Sequence, residues 1–120
     1  MLAEDEKDVR SLIGGHLASL GYTVVEAGNG ADALQLVADA PGFFDLLVTD
    51  IIMPKMGGQE LAGKIREICP TIKSVQISGY NETTQEPSDE VVPQGRRLQK
   101  PFTLDTLDAT VRQVLDHDQS

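Results

Sequence analysis

The sequence predicts an α/β domain built on a parallel sheet with helices over both faces. Runs rich in β-branched or apolar residues alternate along the chain with stretches whose apolar residues recur at spacings of three and four. The connections between them are too short for anything but right-handed βαβ crossovers. The near-continuous apolar run at 43–49 fits a strand buried on both faces rather than one lying half in water.

Met1, Leu2 and Ala3 form a short opening strand before the acidic residues Glu4, Asp5 and Glu6. Its shortness gives the expectation that residues 1–120 are one domain clipped from a longer parent chain. Val9, Leu12, Ile13, Leu17 and Leu20 then share one helical face, a pattern strong enough to override Gly14 and Gly15, each of which costs about 1 kcal/mol relative to alanine. Gly21 ends this helix, and residues 22–27 read as a strand bounded by the turn signal Gly28, Asn29, Gly30. Ala31, Leu34, Val37 and Ala38 make the stripe of a second helix, which Pro41 and Gly42 stop before the apolar strand at 43–49 and its terminal Asp50. Residues 51–58 form a loop into a third helix that buries Leu61, Ile65 and Ile68, with Pro70 just beyond. A strand at 73–78 follows, broken by Gly79. Residues 81–95 hold two prolines and almost no apolar periodicity, so any helix there is short, distorted or mobile. Residues 96–99 can form a short last strand, and Leu104, Leu107, Val111, Val114 and Leu115 share the face of a final helix that starts near Thr103 or Asp105.

With 120 residues and 40% hydrophobic side chains the chain can bury a single core without metal or disulfide staples, and a second domain does not fit. No apolar run approaches bilayer length and the acidic start is unlike a secretory signal, which gives a cytoplasmic expectation. Cys69, the one cysteine, reads as a small core residue at a helix end. Nineteen acidic against 10 basic side chains give a net charge of −9, which repels phosphate backbones and anionic lipid. Direct nucleic-acid binding and membrane insertion are therefore not expected, and a cation site is.

Ligands of an open parallel sheet bind beyond the carboxyl ends of its strands. Those ends carry Glu4, Asp5 and Glu6 after the first strand, Asp50 after the third, Ser78 after the fourth and Lys100 after the fifth. Each has an ordinary reading: acidic residues cap helices, aspartate forms turns, serine sits in turns, and lysine is a solvated charge. Their convergence on one rim points to chemistry instead. Clustered carboxylates without histidine or thiolate suit a hard divalent cation, Mg2+ by default. A carboxylate can also be a nucleophile toward phosphorus when a cation and a lysine neutralise the equatorial oxygens, with Ser78 as a candidate hydroxyl donor to the phosphoryl group.

At these positions the sequence resembles a two-component response-regulator receiver domain, over nearly its whole length. EDE at 4–6 resembles the family's acidic cluster, TDIIMPKMGG at 49–58 its phosphoacceptor loop, SGY at 78–80 its switch hydroxyl region and KPF at 100–102 its lysine motif. The spacings agree, with 45 residues from Asp5 to Asp50, 28 more to Ser78 and 22 more to Lys100. The resemblance implies the flavodoxin-like (CheY-like) five-stranded order 2-1-3-4-5 and a phosphorelay function. Asp50 would take a phosphoryl group from the phosphohistidine of a histidine kinase or histidine phosphotransfer domain. Mg2+ would be bound by Asp5, Asp50 and the backbone carbonyl of Ile52, with Glu4 helping. It further implies that Lys100 contacts the phosphoryl group, that the Lys100 to Pro101 bond is cis, and that Gly57 and Gly58 let the loop turn tightly into the third helix. The wording of the motifs looks most like receivers attached to hybrid sensor histidine kinases.

Departures matter too. Arg97 stands three residues before the lysine, where the family usually carries an inward-rotating aromatic. Output is then expected through movement of the Ser78 loop and residues 81–95. Ile52 and Tyr80 flank the family's route of attacking water, and their bulk implies slow self-dephosphorylation. A phosphate-independent binding module and a Mg2+-dependent phosphatase are the rival readings. The short first strand could also favour a weak homodimer. His16 and His117 read as isolated structural or solvated residues.

Overall fold

The structure, a computed structural model, describes residues 1–53, 55–78, 91–92 and 95–117. In chain order these form β1 (Leu2–Ala3), α1 (Lys7–Ser19), β2 (Glu26–Ala27), α2 (Gly30–Asp39), β3 (Leu46–Asp50), α3 (Gly58–Ile68), β4 (Lys73–Ser78), β5 (Val91–Val92), β6 (Gly95–Gln99) and α4 (Leu104–His117). The sheet order is β2-β1-β3-β4-β6-β5. Its first five strands are parallel and realise the expected order 2-1-3-4-5, the fifth of them being β6. The two-residue β5 adds an antiparallel edge through Val91 opposite Arg96 and Val92 opposite Gly95. Sequence reading gave no strand there.

Successive strand residues face opposite sides, so each inner strand feeds two cores. Ala3 and Leu47 point to one side with Ala33 and Val37 of α2 and Leu61 and Ile65 of α3. Leu2, Val48, Val75 and Ile77 point to the other, against Ile13 and Leu17 of α1 and Leu107 and Val111 of α4. Two helix starts, those of α2 and α4, are capped by side chains: Asn29 Oδ1 accepts the Asp32 N–H at 2.8 Å, and Thr103 Oγ1 accepts the Thr106 N–H at 3.1 Å. Cys69 is buried at the end of α3, where its thiol donates to the Pro41 carbonyl.

Two strands are shorter than expected because their partners end. Leu2 lies opposite Glu26, so residues 22–24 have no β1 residue beside them, and only Glu26–Ala27 join the ladder. β3 starts at Leu46 rather than at Phe43, since the upstream pairing of Asp45 is a single bond from the Lys73 N–H. Phe43 instead stacks edge-on against Phe44 and stays 58% exposed. Most of 81–95, including the segment expected to be weakly ordered, lies outside the described residues, as do Pro54, Gly79 and Tyr80.

Candidate functional site

The register of the sheet brings the strand ends to one rim. Asp50 pairs with Ile77, one residue before Ser78, and Ser78 pairs with Gln99, one residue before Lys100. The Lys100 N–H donates to the Ser78 carbonyl at 2.9 Å, and the Lys100 ammonium lies 3.4 Å from each carboxylate oxygen of Asp50. Glu4, Asp5 and Asp50 each offer a carboxylate oxygen within 4.8 Å of the others. Ser78 is buried at the end of β4, and the Lys100 to Pro101 peptide bond is cis.

Short-range bonds hold the loop after Asp50 in place. The Ile51 N–H donates to the Ile77 carbonyl at 2.9 Å, and the Gly58 N–H folds back to the Ile51 carbonyl at 2.6 Å. A side chain at Gly58 would run into the Asp50 carbonyl oxygen, so this position needs glycine for close approach. Gly57 has an ordinary φ of −73°; the left-handed turn is made by Lys55, at φ 70°. Gly57 is needed for close approach as well, since a Cβ there would lie 2.8 Å from the Ile51 carbonyl oxygen, so both glycines let the loop pass tightly into α3 as expected. Thr49, which sequence reading passed over, donates its hydroxyl to the Asp50 carbonyl at 2.9 Å and lies 3.8 Å from Met53 Sδ. A buried β-branched hydroxyl directly before the acidic strand end was the available signal.

Glu4 combines the two readings open to it. Its Oε2 accepts the Glu6 N–H at 3.0 Å, a helix-start contact, while its Oε1 makes no hydrogen bond among the described residues. Asp50 Oδ1 is likewise buried without a hydrogen bond. Burial pushes the Glu4 pKa up to about 8, and the nearby Asp50 carboxylate adds to the shift. Burial also raises Asp50, with the neighbouring Glu4 carboxyl and then the Lys100 ammonium opposing it. At Lys100 burial works against the charged form, but Asp50 and Glu4 outweigh it and the pKa ends above the ordinary lysine value. Glu4 Oε1 without a hydrogen bond, and Asp50 Oδ1 met only by the Lys100 ammonium at 3.4 Å among the described residues, fit a small hard cation beside the exposed Asp5, which would lower the cost of holding these charges together.

The positions where this chain departs from the pattern are also placed. Arg97 is buried on β6, opposite Gln76 of β4. Ile52 projects outward and is 62% exposed, whereas Tyr80 lies outside the described residues. His16 is not isolated: its Nε2 lies 2.7 Å from Asp108 Oδ1, joining α1 to α4. The His117 side chain is outside the description.

The Response regulator receiver domain family matches residues 1–112. The chain belongs to this family. It is 38% identical over 118 residues to the sensor kinase CckA of Brucella abortus (strain 2308), spanning 97% of this chain and 12% of that protein. It is 36% identical over 115 residues to the response regulator receiver protein CpdR of the same strain, spanning 96% of this chain and 94% of CpdR. The receiver domain of the hybrid histidine kinase CckA superposes with a TM-score of 0.77 at 33% identity, covering 95% of each chain. A response regulator receiver protein from Sinorhizobium medicae WSM419 gives 0.82 at 32% identity, covering 96% and 91%. The receiver is thus similar both to a small part of a sensor kinase and to nearly the whole of a small regulator. It is a receiver domain of two-component phosphorelay signalling.

Proposed function

We propose that Asp50 is the phosphoacceptor, taking a phosphoryl group from the phosphohistidine of a histidine kinase or histidine phosphotransfer domain. The observation that carries this reading is the Lys100 ammonium 3.4 Å from both oxygens of Asp50, with a carboxylate oxygen of Glu4 and of Asp5 within 4.8 Å of one on Asp50. One Asp50 oxygen attacks phosphorus, the phosphorus–nitrogen bond to imidazole breaks, and the product is an acyl phosphate on Asp50. Lys100 sits where charge develops on the phosphoryl oxygens, and Ser78, at the neighbouring strand end, donates its hydroxyl to the group once transferred. Glu4, Asp5, Asp50 and the backbone carbonyl of Ile52 hold Mg2+, which supplies charge neutralisation for a dianionic group entering an acidic rim. Because the phosphoryl group originates from ATP, the encounter belongs to the cytoplasm.

The product is a phosphorylation-dependent switch that decays slowly, since neither Ile52 nor Tyr80 carries a base to orient water. Replacing both, Ile52→Asn with Tyr80→Glu, is expected to shorten the acyl phosphate lifetime. An unchanged lifetime contradicts this. The reading as a whole is tested by incubation with a labelled phosphohistidine donor: label moves to the chain in an alkali-labile form, and Asp50→Asn abolishes the transfer. A second reading, a binding module that works without phosphate, draws on the buried Arg97 at the position of the usual aromatic switch. Failure of transfer with Mg2+ bound would favour it.

A further inference from the structure

Arg10 belongs to none of the motifs above, yet it reaches the site through the chain itself. From α1 its Nη1 donates to the backbone carbonyl of Glu4 at 2.7 Å. Its Nε lies 3.8 Å from Glu26 Oε1 on β2, and a Cβ on Gly28 would lie 3.3 Å from its Nη1. Gly14, one turn further along α1, leaves the space that Glu26 occupies, because a Cβ there would collide with Glu26 Oε2. The Glu4 N–H is meanwhile fixed by the Ala27 carbonyl at 3.1 Å. Both polar groups of the Glu4 peptide backbone are therefore anchored, one by β2 and one by Arg10, immediately before Asp5.

We propose that Arg10 is a positioning residue for the cation site, setting the aim of the Glu4 and Asp5 carboxylates through the Glu4 carbonyl, with Glu26 steadying its guanidinium. This inference rests on the Mg2+ reading given above. The sign of a charge removal separates it from plain electrostatics. A guanidinium beside a cation site repels the cation, so if Arg10 acted only as a charge, its loss would tighten Mg2+ binding. If it sets the backbone, its loss weakens binding, by roughly tenfold as for other supporting contacts behind metal ligands.

Calorimetric Mg2+ titration of wild type, Arg10→Gln, Arg10→Lys and Glu26→Gln, each checked for native circular dichroism, tests this. Arg10→Gln is expected to raise Kd roughly tenfold, with Arg10→Lys and Glu26→Gln between it and wild type. In phosphorylation by acetyl phosphate, the Mg2+ concentration for half-maximal rate should rise in Arg10→Gln while the rate at saturating Mg2+ stays near wild type. A merely structural role would not produce that split. An Arg10→Gln Kd equal to or below wild type overturns the inference. If Arg10→Gln does not fold, wild-type affinity in both Arg10→Lys and Glu26→Gln overturns it equally. Absence of Mg2+ binding by wild type removes the metal reading itself, whereas wild-type binding indifferent to these substitutions removes only the role of Arg10.

Discussion

Glu4 is a carboxylic acid with 1% of its surface exposed, one oxygen held by the Glu6 N–H and the other without a hydrogen bond among the described residues, in a cluster with Asp5 and Asp50. In the unfolded chain it ionises near 4.5, and in the folded chain near 8. Between those values the folded state holds the extra proton, so this stabilisation is present below 4.5 and lost as pH rises toward 8. Thermal melts without Mg2+ should show this decline in wild type and a flatter profile in Glu4→Gln; equal slopes would contradict it. Mg2+ at the proposed site would displace the same proton, so its affinity should climb with pH across that window. At Lys100, replacement by alanine should slow phosphorylation from a small donor by about a hundredfold at saturating Mg2+, because the charge that meets the phosphoryl oxygens is gone. Asp50, Ser78, Lys100 and the acidic run were legible because each punctuates a strand end. Arg10 was not, because it acts on a backbone carbonyl, a contact that only the folded chain creates, and Thr49 offered only its place before Asp50 as a signal.

At the scale of elements, the helices were the most legible. Leu61 and Ile65, and Leu107 and Val111, are buried as their stripes predict, whereas Ile68 at the end of α3 and Leu12 and Leu20 of the first stripe lie exposed, and β4 spans the residues its pattern marks. Strand ends were less so, since β2 and β3 stop where a neighbour stops, a fact written in the partner's sequence rather than their own. The short β5 depends on pairing with β6 and carries no period of its own. Two glycines in similar helical company make a test. Nothing lies within 4 Å of a Cβ on Gly15, so Gly15→Ala should stabilise the domain by about 0.5–1 kcal/mol in urea unfolding. A Cβ on Gly58 meets the Asp50 backbone, so Gly58→Ala should cost about 2 kcal/mol and impair phosphorylation as well.

Over the whole molecule, two cores on opposite faces of one sheet hold the rim rigid while leaving it open at the strand ends. Among the described residues no helix is long and apolar enough to cross a membrane. Because the proposed cation ligands come from β3 and from the segment after β1, ion binding there would be linked to the fold. Mg2+ at about a hundred times its Kd should stabilise the protein by about 2.7 kcal/mol, an increment that Asp50→Asn should reduce. The most direct measurement is the intact mass after incubation with acetyl phosphate, with and without Mg2+, for wild type and Asp50→Asn. The predicted result is one phosphoryl adduct on wild type that requires Mg2+ and is absent from the folded Asp50→Asn protein. An adduct that persists in Asp50→Asn, or none on a wild-type protein shown to bind Mg2+, would contradict Asp50 as the acceptor.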